Sequence, residues 1–232
     1  MSRRLISGAA LGLLLLPSLA AHPGAPEIRF DRLGMSEGLS QNTVYAIATD
    51  RVGFMWFGTE DGLNRYDGRE FRVFRNDPDD SSSLSSNAVL ALHVDAGGTL
   101  WIGTADGIDR FDPLTERFTR IGHGIDSLRG GPVYGFAETG DGRVWAVTLG
   151  NGLIQVDPES NKATAVAPDG LDASIFSVTS CDGRALWLGT RSGLVRLDAH
   201  HPEALDAPQK SAAFDRTYSV HCAPDGRLWF AT

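Results

Sequence analysis

Two histidines are the side chains of this sequence whose type and spacing come closest to a chemical site. His93 and His221 each lie eight residues before a tryptophan, and imidazole is a common zinc ligand. The two histidines belong to repeats that are not neighbours, and no carboxylate recurs in register with them. His200-His201 is a pair in a loop, which is weak support for zinc. The sequence therefore predicts no metal site and no cofactor.

Motifs for nucleophilic or phosphate chemistry are also missing from the sequence. It has no Ser-His-Asp order, no glycine loop of the kind that cradles phosphate and no Cys-x-x-Cys pair. We therefore expect no catalytic residue and no enzyme activity in this chain.

Five tryptophans mark a repeat that runs through most of the chain. Each lies within a version of the phrase Gly-x-x-Trp-x-Gly-Thr, and successive tryptophans are 45, 44, 42 and 42 residues apart. A period of this length is typical of propeller blades. Because large aromatic side chains contribute strongly to packing, we predict a structural role, within or between blades, for all five tryptophans. They are Trp56, Trp101, Trp145, Trp187 and Trp229.

The residues around each tryptophan predict strands and turns. Large and small side chains alternate from eleven to nine residues before it, which predicts a first strand. An Asp/Gly turn separates that strand from the tryptophan strand, and Thr follows three residues after every tryptophan. A second turn leads to a third strand that stops at an Asp. A weaker fourth strand is predicted in the first two repeats, at Phe71–Phe74 and Phe118–Ile121.

Four antiparallel strands per repeat predict an all-β fold, a β-propeller of which about four and a half blades are present. The predicted blades are residues 39–80, 84–125, 128–168, 171–207 and an incomplete 211–232. The last repeat stops inside a hairpin, so we expect an incomplete ring and the N-terminal part of a longer protein. Residues 21–37 are predicted to be a linker in which Ile28–Leu33 alternates like a strand that could close the ring.

The N-terminus and the charge predict where the chain acts. Arg3 and Arg4 precede an apolar run, and Ser18-Leu19-Ala20 follows Pro17, so residues 1–20 resemble a secretory signal peptide. The formal net charge of −8 becomes −10 once a leader with two arginines and no acidic residue is removed. Such an acidic domain is poorly suited to nucleic acid or anionic lipid.

Two cysteines, Cys181 and Cys222, lie near the ends of the first strands of neighbouring repeats. Export would place them in an oxidising compartment, and inner strands approach one another at the hub of a propeller. The distance between their Cα atoms does not follow from the sequence. A disulfide and two buried thiols therefore both stay open.

Polar residues at one end of the predicted blades form a candidate ligand-binding rim. They lie in the loops that lead into the first strands and in the turns after each repeated Thr. Turn and cap chemistry is the competing explanation for each of them. The rim consists of Gln41, Asn42, Glu60, Asp61, Asn87, Asp106, Asn151 and Arg191.

The segment Asn42–Gly68, with Trp56-Phe57-Gly58-Thr59 at its centre, resembles the two-component regulator propeller repeat. Leu84–Asp112 resembles it almost as well, and the likeness extends over Ile28–Thr232. The third and fifth repeats depart from it, since Val147 and Ala231 replace the glycine two residues after the tryptophan. The third repeat also has one extra residue, Leu149 or Gly150, before its turn.

This resemblance implies the periplasmic sensor region of an inner-membrane receptor with a histidine kinase, often hybrid, or a diguanylate cyclase output. It further implies paired sensor regions, and hence a homodimer, anchored through a membrane span beyond this chain. We expect a small-molecule ligand such as an oligosaccharide. Two alternatives stay open: a secreted enzyme, since the phrase also resembles that of streptogramin-lyase-like propellers, and a passive protein-interaction scaffold.

Overall fold

The structure is a computed structural model that describes residues 30–122, 131–203 and 216–232. Leu33–Thr232 form one unit, and Met1–Arg32 form another. The described residues contain seventeen β-strands and one short 3-10 helix, Met35–Glu37. The predicted signal peptide, residues 1–20, lies outside the described residues.

The strands form five antiparallel sheets, which are blades one to five. Blade one contains β1 (Val44–Thr49), β2 (Met55–Thr59), β3 (Gly62–Tyr66) and β4 (Phe71–Phe74). Blade two contains β5 (Val89–Val94), β6 (Leu100–Thr104), β7 (Gly107–Asp112) and β8 (Arg117–Ile121). Blade three contains β9 (Val133–Glu138), β10 (Val144–Thr148), β11 (Gly152–Asp157) and β12 (Lys162–Val166). Blade four contains β13 (Ile175–Ser180), β14 (Ala185–Thr190) and β15 (Gly193–Asp198), and blade five contains β16 (Ser219–Cys222) and β17 (Leu228–Ala231).

The all-β class and the four-stranded antiparallel blade are confirmed. The third blade has a fourth strand, β12, that its sequence pattern did not predict. The first strands of the blades, β1, β5, β9, β13 and β16, lie side by side in this order and form the hub. Within the described residues the blades do not close a ring, as expected.

The predicted ring-closing strand lies at the edge of the described residues. Residues 28 and 29 are outside them, and Phe30–Leu33 belong to no strand. No helix within residues 30–122, 131–203 and 216–232 is both long and apolar enough to cross a membrane.

The tryptophans of the first three blades pack against the following blade. Trp56 lies in one hydrophobic cluster with Val89 and Ile102 of blade two, and its ring centroid is 4.9 Å from that of Phe111. Trp101 and Trp145 occupy the same place against blades three and four. All three are essentially inaccessible to solvent. The repeat period is therefore also the period of the interblade core.

An acceptor six residues before the tryptophan holds the indole in the first three blades. Trp56 Nε1 donates to Asp50 Oδ2 at 2.8 Å, and Trp101 Nε1 donates to Asp95 Oδ2 at 2.8 Å. In blade three the acceptor is the hydroxyl of Thr139, at 3.1 Å from Trp145 Nε1. The other carboxylate oxygen of Asp50 accepts three backbone N–H groups of its turn. The aspartate thus joins the turn to the interblade core.

Glycine after the tryptophan lets neighbouring blades approach closely. A Cβ on Gly58 would lie 2.7 Å from Val89 Cγ1, and one on Gly103 would lie 2.8 Å from Val133 Cγ1. The third repeat has Val147 at this position, and its strand partner is Gly135 where the others have Ala or Ser. The larger side chain of Val147 is therefore compensated by the missing side chain of Gly135 on the neighbouring strand. The extra residue Leu149 forms a bridge to Ser174, which leads into blade four.

A disulfide joins Cys181 to Cys222, with 5.3 Å between their Cα atoms. Of the two alternatives left open by the sequence, the structure has the bridge. The bond ties β13 of blade four to β16 of blade five at the hub, since Cys181 follows the last residue of β13 and Cys222 ends β16.

Candidate functional site

The rim at one end of the blades is organised by the repeated threonine. Thr59 Oγ1 donates to Gly62 O at 2.9 Å and accepts from Asp61 N at 3.1 Å. Thr104, Thr148 and Thr190 make the same pair of bonds in their own turns. These four threonines therefore stabilise the turns of their blades, and they are buried beneath the rim.

In blades one and two, a serine in the leading loop extends this network to the third strand. Ser40 Oγ lies 2.9 Å from Thr59 Oγ1, and Ser40 N donates to Asn64 Oδ1 at 2.9 Å. Asn64 Nδ2 donates in turn to Ser40 Oγ at 2.8 Å and is also within reach of backbone carbonyls. The loop leading into the blade is thereby fixed to the blade interior.

Asp109 replaces the asparagine in the equivalent network of blade two. Its Oδ2 accepts from Ser85 N at 2.7 Å and from Ser85 Oγ at 2.8 Å, as Asn64 Oδ1 does for Ser40 N. Its Oδ1 takes the place of the amide nitrogen and has no hydrogen-bond partner within the described residues. Burial raises the pKa of Asp109 to about 6, although the bonds from Ser85 oppose the shift.

The predicted rim residues of blade one form hydrogen bonds and an ion pair with residues nearby. Gln41 Nε2 donates to Glu60 Oε2 at 3.3 Å, and Asn42 Oδ1 accepts from Met35 N at 3.2 Å. Asp61 pairs with Arg75 at 2.9 Å. These side chains connect the leading loop of blade one to its own turn and to the chain beyond β4.

The remaining rim residues also form hydrogen bonds within loops and turns. Asn87 Oδ1 accepts from Asn76 N at 2.7 Å, and Asn87 O accepts from Gly62 N at 2.7 Å. The backbone of Asp106 and that of Asn151 donate to the repeated threonines, and Arg191 N donates to Ser174 O at 3.3 Å. Asp106 and Arg191 are exposed. The structure thus brings the predicted residues to the same end of the blades, where each takes part in turn or loop contacts.

Clefts open at the other end of the blades, which the sequence did not single out. One of about 720 Å³ lies between blades two and three and is lined mainly by charged residues, including Glu138 and Arg143. Another of about 360 Å³ lies between blades one and two. There the Arg65 guanidinium lies 4.7 Å from the ring centroid of Phe54 and 3.2 Å from Glu116 Oε1. Only the folded arrangement brings these turns together, because they belong to different blades.

The two histidines of the sequence prediction lie on the hub strands of blades two and five. His93 Nε2 is 3.9 Å from Glu138 Oε2, and its ring stacks on Phe136 with centroids 6.4 Å apart. Burial lowers the pKa of His93, while Glu138 and Asp95 oppose the shift. His221 is exposed and lies opposite Trp229 in the sheet. Within the described ranges, no group of three or more His, Cys, Asp or Glu residues is placed to hold a metal ion.

Comparison with known proteins matches two of the repeats to a family. The model of the family described as two component regulator propeller matches residues 38–61 and 83–106. A stretch of 47 residues is 51% identical to Histidine kinase P4 of Formosa agariphila, covering 20% of this chain and 3% of that protein. The matched segments contain the Ser40–Thr59 and Ser85–Thr104 networks.

Solved structures extend the likeness to most of the chain at the level of fold. The extracellular domain of the hybrid two component system BT3049 from B. thetaiotaomicron superposes with a TM-score of 0.60 at 22% identity, covering 87% of this chain and 34% of that one. Virginiamycin B lyase from Staphylococcus aureus gives a TM-score of 0.63 at 16% identity, covering 82% of this chain and 64% of the lyase. The chain thus spans about a third of the first protein and less than two thirds of the second. It is a β-propeller protein that carries the repeat of the two component regulator propeller family in its first two blades.

Proposed function

We propose that this chain is the ligand-sensing propeller region of a transmembrane signalling receptor. The observation that carries the proposal is the family match in blades one and two, where the buried Ser–Thr networks occur. The short stretch of identity to a histidine kinase supports it. The output is a histidine kinase or a diguanylate cyclase beyond this chain, which itself has no enzyme activity and needs no cofactor.

The proposed setting is the periplasm, with residues 1–20 as the signal peptide. A membrane span C-terminal to this chain anchors the receptor in the inner membrane, and two receptors pair as a homodimer. The ligand is a small molecule, and an oligosaccharide suits an acidic surface that offers amide and hydroxyl groups. The acidic balance disfavours anionic ligands and nucleic acid.

Thermal unfolding of the chain in the presence of a compound library tests the proposal. The library contains neutral oligosaccharides, uronate-containing oligosaccharides, amino acids and nucleosides. A ligand at 100 times its Kd should stabilise the folded state by about 2.7 kcal/mol, which gives a clear rise in Tm. If no compound raises the Tm, the sensor proposal is wrong and the scaffold alternative is favoured.

A second candidate function is that of a propeller enzyme. The fold likeness to virginiamycin B lyase favours it, and a structure of an inactive form of that lyase has been solved with quinupristin. We expect no loss of quinupristin on incubation with this chain, measured by mass spectrometry with and without added divalent metal. Metal-dependent turnover that is abolished in His221→Ala would support the enzyme instead.

A further inference from the structure

The cleft between blades one and two combines residues that recur in blade two with residues that do not. The aspartate, tryptophan and arginine that line it have counterparts in blade two at the same distances from the tryptophan. Arg51 and Phe54 do not recur, because blade two has Ala96 and Thr99 at the equivalent positions. The shared fold of the blades accounts for the first set of residues and leaves Arg51 and Phe54 without a structural explanation.

The floor of this cleft is apolar and continuous with the interblade core. Phe54 packs against the hydrophobic cluster that contains Trp56, Leu100 and Phe111, and all four residues line the cleft. Val52, which also lines it, is 81% exposed. The volume of about 360 Å³ lies within the range of about 300–1,000 Å³ that is usual for small-molecule sites. The cleft therefore suits a small ligand with an apolar body.

The acceptor groups at this cleft are already used by the protein. Asp50 Oδ1 accepts from three backbone N–H groups of its own turn, and Asp50 Oδ2 accepts from Trp56 Nε1. Glu116 of blade two pairs with Arg65 at 3.2 Å and also with Arg72. A cation or a hydrogen-bond donor that enters the cleft would therefore compete with contacts that the protein makes itself.

Two donor groups at the cleft are unused. The stem of Arg51 reaches across to blade two, since a Cβ on Gly98 would lie 3.0 Å from Arg51 Cδ and 3.3 Å from Arg51 Nε. The Arg51 guanidinium forms no ion pair or hydrogen bond with residues 30–122, 131–203 and 216–232. Gly97 N also has no acceptor among them, whereas the equivalent Val52 N donates to Asp50 Oδ1 at 3.0 Å. The cleft therefore offers donors to a group that accepts hydrogen bonds.

We propose that this cleft binds a small carboxylic acid with an apolar body. The body lies on Phe54 and Leu100, and the carboxylate lies at Arg51, because a guanidinium forms paired, charge-assisted hydrogen bonds with a carboxylate. The chain as a whole is acidic, so the unused donors of this cleft, and not the net charge, select the ligand. The site lies at the opposite end of the blades from the rim and does not rest on the sensor proposal.

The corresponding cleft between blades two and three is an internal comparison. It has no counterpart of Arg51 or Phe54, and its lining contains five acidic side chains and two arginines. Both arginines already have acceptors. Arg110 Nη1 donates to Asn161 Oδ1 at 3.0 Å, and Arg143 Nη1 lies 2.7 Å from Asp141 Oδ2. The same carboxylate should therefore not bind there.

The test is a nuclear magnetic resonance titration of the isotope-labelled chain with phenylpropanoate, phenylpropanamide and phenylpropylamine, which share one apolar body. The carboxylate should bind most tightly and shift the backbone amide signals of Phe54 and Leu100. Arg51→Ala, which introduces the residue of blade two, should weaken phenylpropanoate binding by roughly tenfold or more, the loss expected for a hydrogen bond to a charged group. Arg69→Ala is the matched control, because Arg69 is an exposed arginine of the same blade that does not line the cleft.

The outcomes decide the inference in both directions. Phenylpropanoate binding that is weakened in Arg51→Ala and unchanged in Arg69→Ala, with Tm values equal to that of the wild type, supports the site. Tighter binding of phenylpropylamine, or an equal loss in both arginine variants, overturns it. Signal changes confined to the rim do the same. So does the absence of binding at about 10 mM phenylpropanoate, a concentration that would saturate a site with a Kd of about 1 mM.

Discussion

One side chain distinguishes the buried network of blade two from that of blade one. Asn64 accepts with Oδ1 and donates with Nδ2, so both ends of its amide are used. Asp109 Oδ2 accepts from both Ser85 N and Ser85 Oγ, but a carboxylate cannot donate, and its Oδ1 has no hydrogen-bond partner among the residues that the structure describes. A protonated Asp109 could donate there as the amide does. Burial raises the pKa of Asp109, and the nearby charge of Asp106 adds to the shift.

We therefore expect Asp109→Asn to stabilise the protein at pH 7. The shift from the ordinary value of 3.8 to about 6 corresponds to roughly 2–3 kcal/mol, at about 1.4 kcal/mol per unit of pKa. Below pH 4 the carboxyl is protonated in both the folded and the unfolded chain. Between pH 4 and 6 the folded protein retains a proton that the unfolded chain has lost, so the stability of the wild type falls as the pH rises through this window. The Asp109→Asn variant should lack this dependence of stability on pH.

Urea unfolding of both proteins between pH 4 and pH 8 measures the effect. The nearby Arg120 and Asp106 are unchanged in the variant, so the difference between the two curves reports on Asp109. Asn64→Asp is the converse variant and should destabilise blade one at pH 7. Equal stability of wild type and Asp109→Asn at pH 7 would contradict the account.

At the level of secondary-structure elements, the core of this protein lies between pairs of neighbouring blades. The tryptophan strands of blades one to three present their indoles to the following blade, and in blades one and two the glycine two residues later lets that blade approach. The indole of blade five has no such cover in the described residues: Trp229 is 56% exposed and Trp145 is 0% exposed. Identical positions in the repeat therefore differ in their contribution to stability.

Removing these two tryptophans should consequently have unequal effects. Trp145→Ala should lower the free energy of unfolding by about 3–5 kcal/mol, the usual range for a large aromatic residue removed from a core. Trp229→Ala should cost less than half as much. Urea unfolding followed by circular dichroism measures both. If Trp145→Ala does not fold, Trp145→Phe and Trp229→Phe give the same comparison, and equal losses would show that Trp229 is covered in solution.

At the scale of the whole molecule, the blades form a row in which each hub strand contacts the next. Arrays of this kind gain stability from nearest-neighbour interfaces, so a terminal unit is held from one side only. Here the last described blade has two strands, and the Cys181–Cys222 disulfide ties it to blade four. The bond closes a loop with a sequence separation of 41 residues.

Removal of the disulfide should destabilise the protein by about 3–4 kcal/mol, the value expected for closing a loop of this length in the unfolded chain. The double variant Cys181→Ser/Cys222→Ser, compared with the wild type by urea unfolding, measures the loss. A reducing agent should weaken the wild type to the same extent and leave the double variant unchanged. A loss below about 1 kcal/mol would mean that packing alone holds blade five.

Local sequence patterns were sufficient to predict most strands and turns of this protein. Alternation of side chains, turn residues and the tryptophan period depend on neighbours in sequence. They predicted the first three strands of blades one to four, the first two strands of blade five and the end of the blades to which the rim residues belong. The family resemblance of the first two repeats came from the same residues. Contacts between blades join residues that are far apart in the sequence, such as Gly58 and Val89, and no local pattern reports them.

Those contacts decided how the environments of equivalent residues differ from one blade to the next. They placed Trp56, Trp101 and Trp145 between blades and joined the two cysteines. They also opened the clefts between turns of neighbouring blades. A repeated sequence specifies a repeated unit, but the environment of each copy depends on which copies lie beside it, and only the tertiary structure determines that.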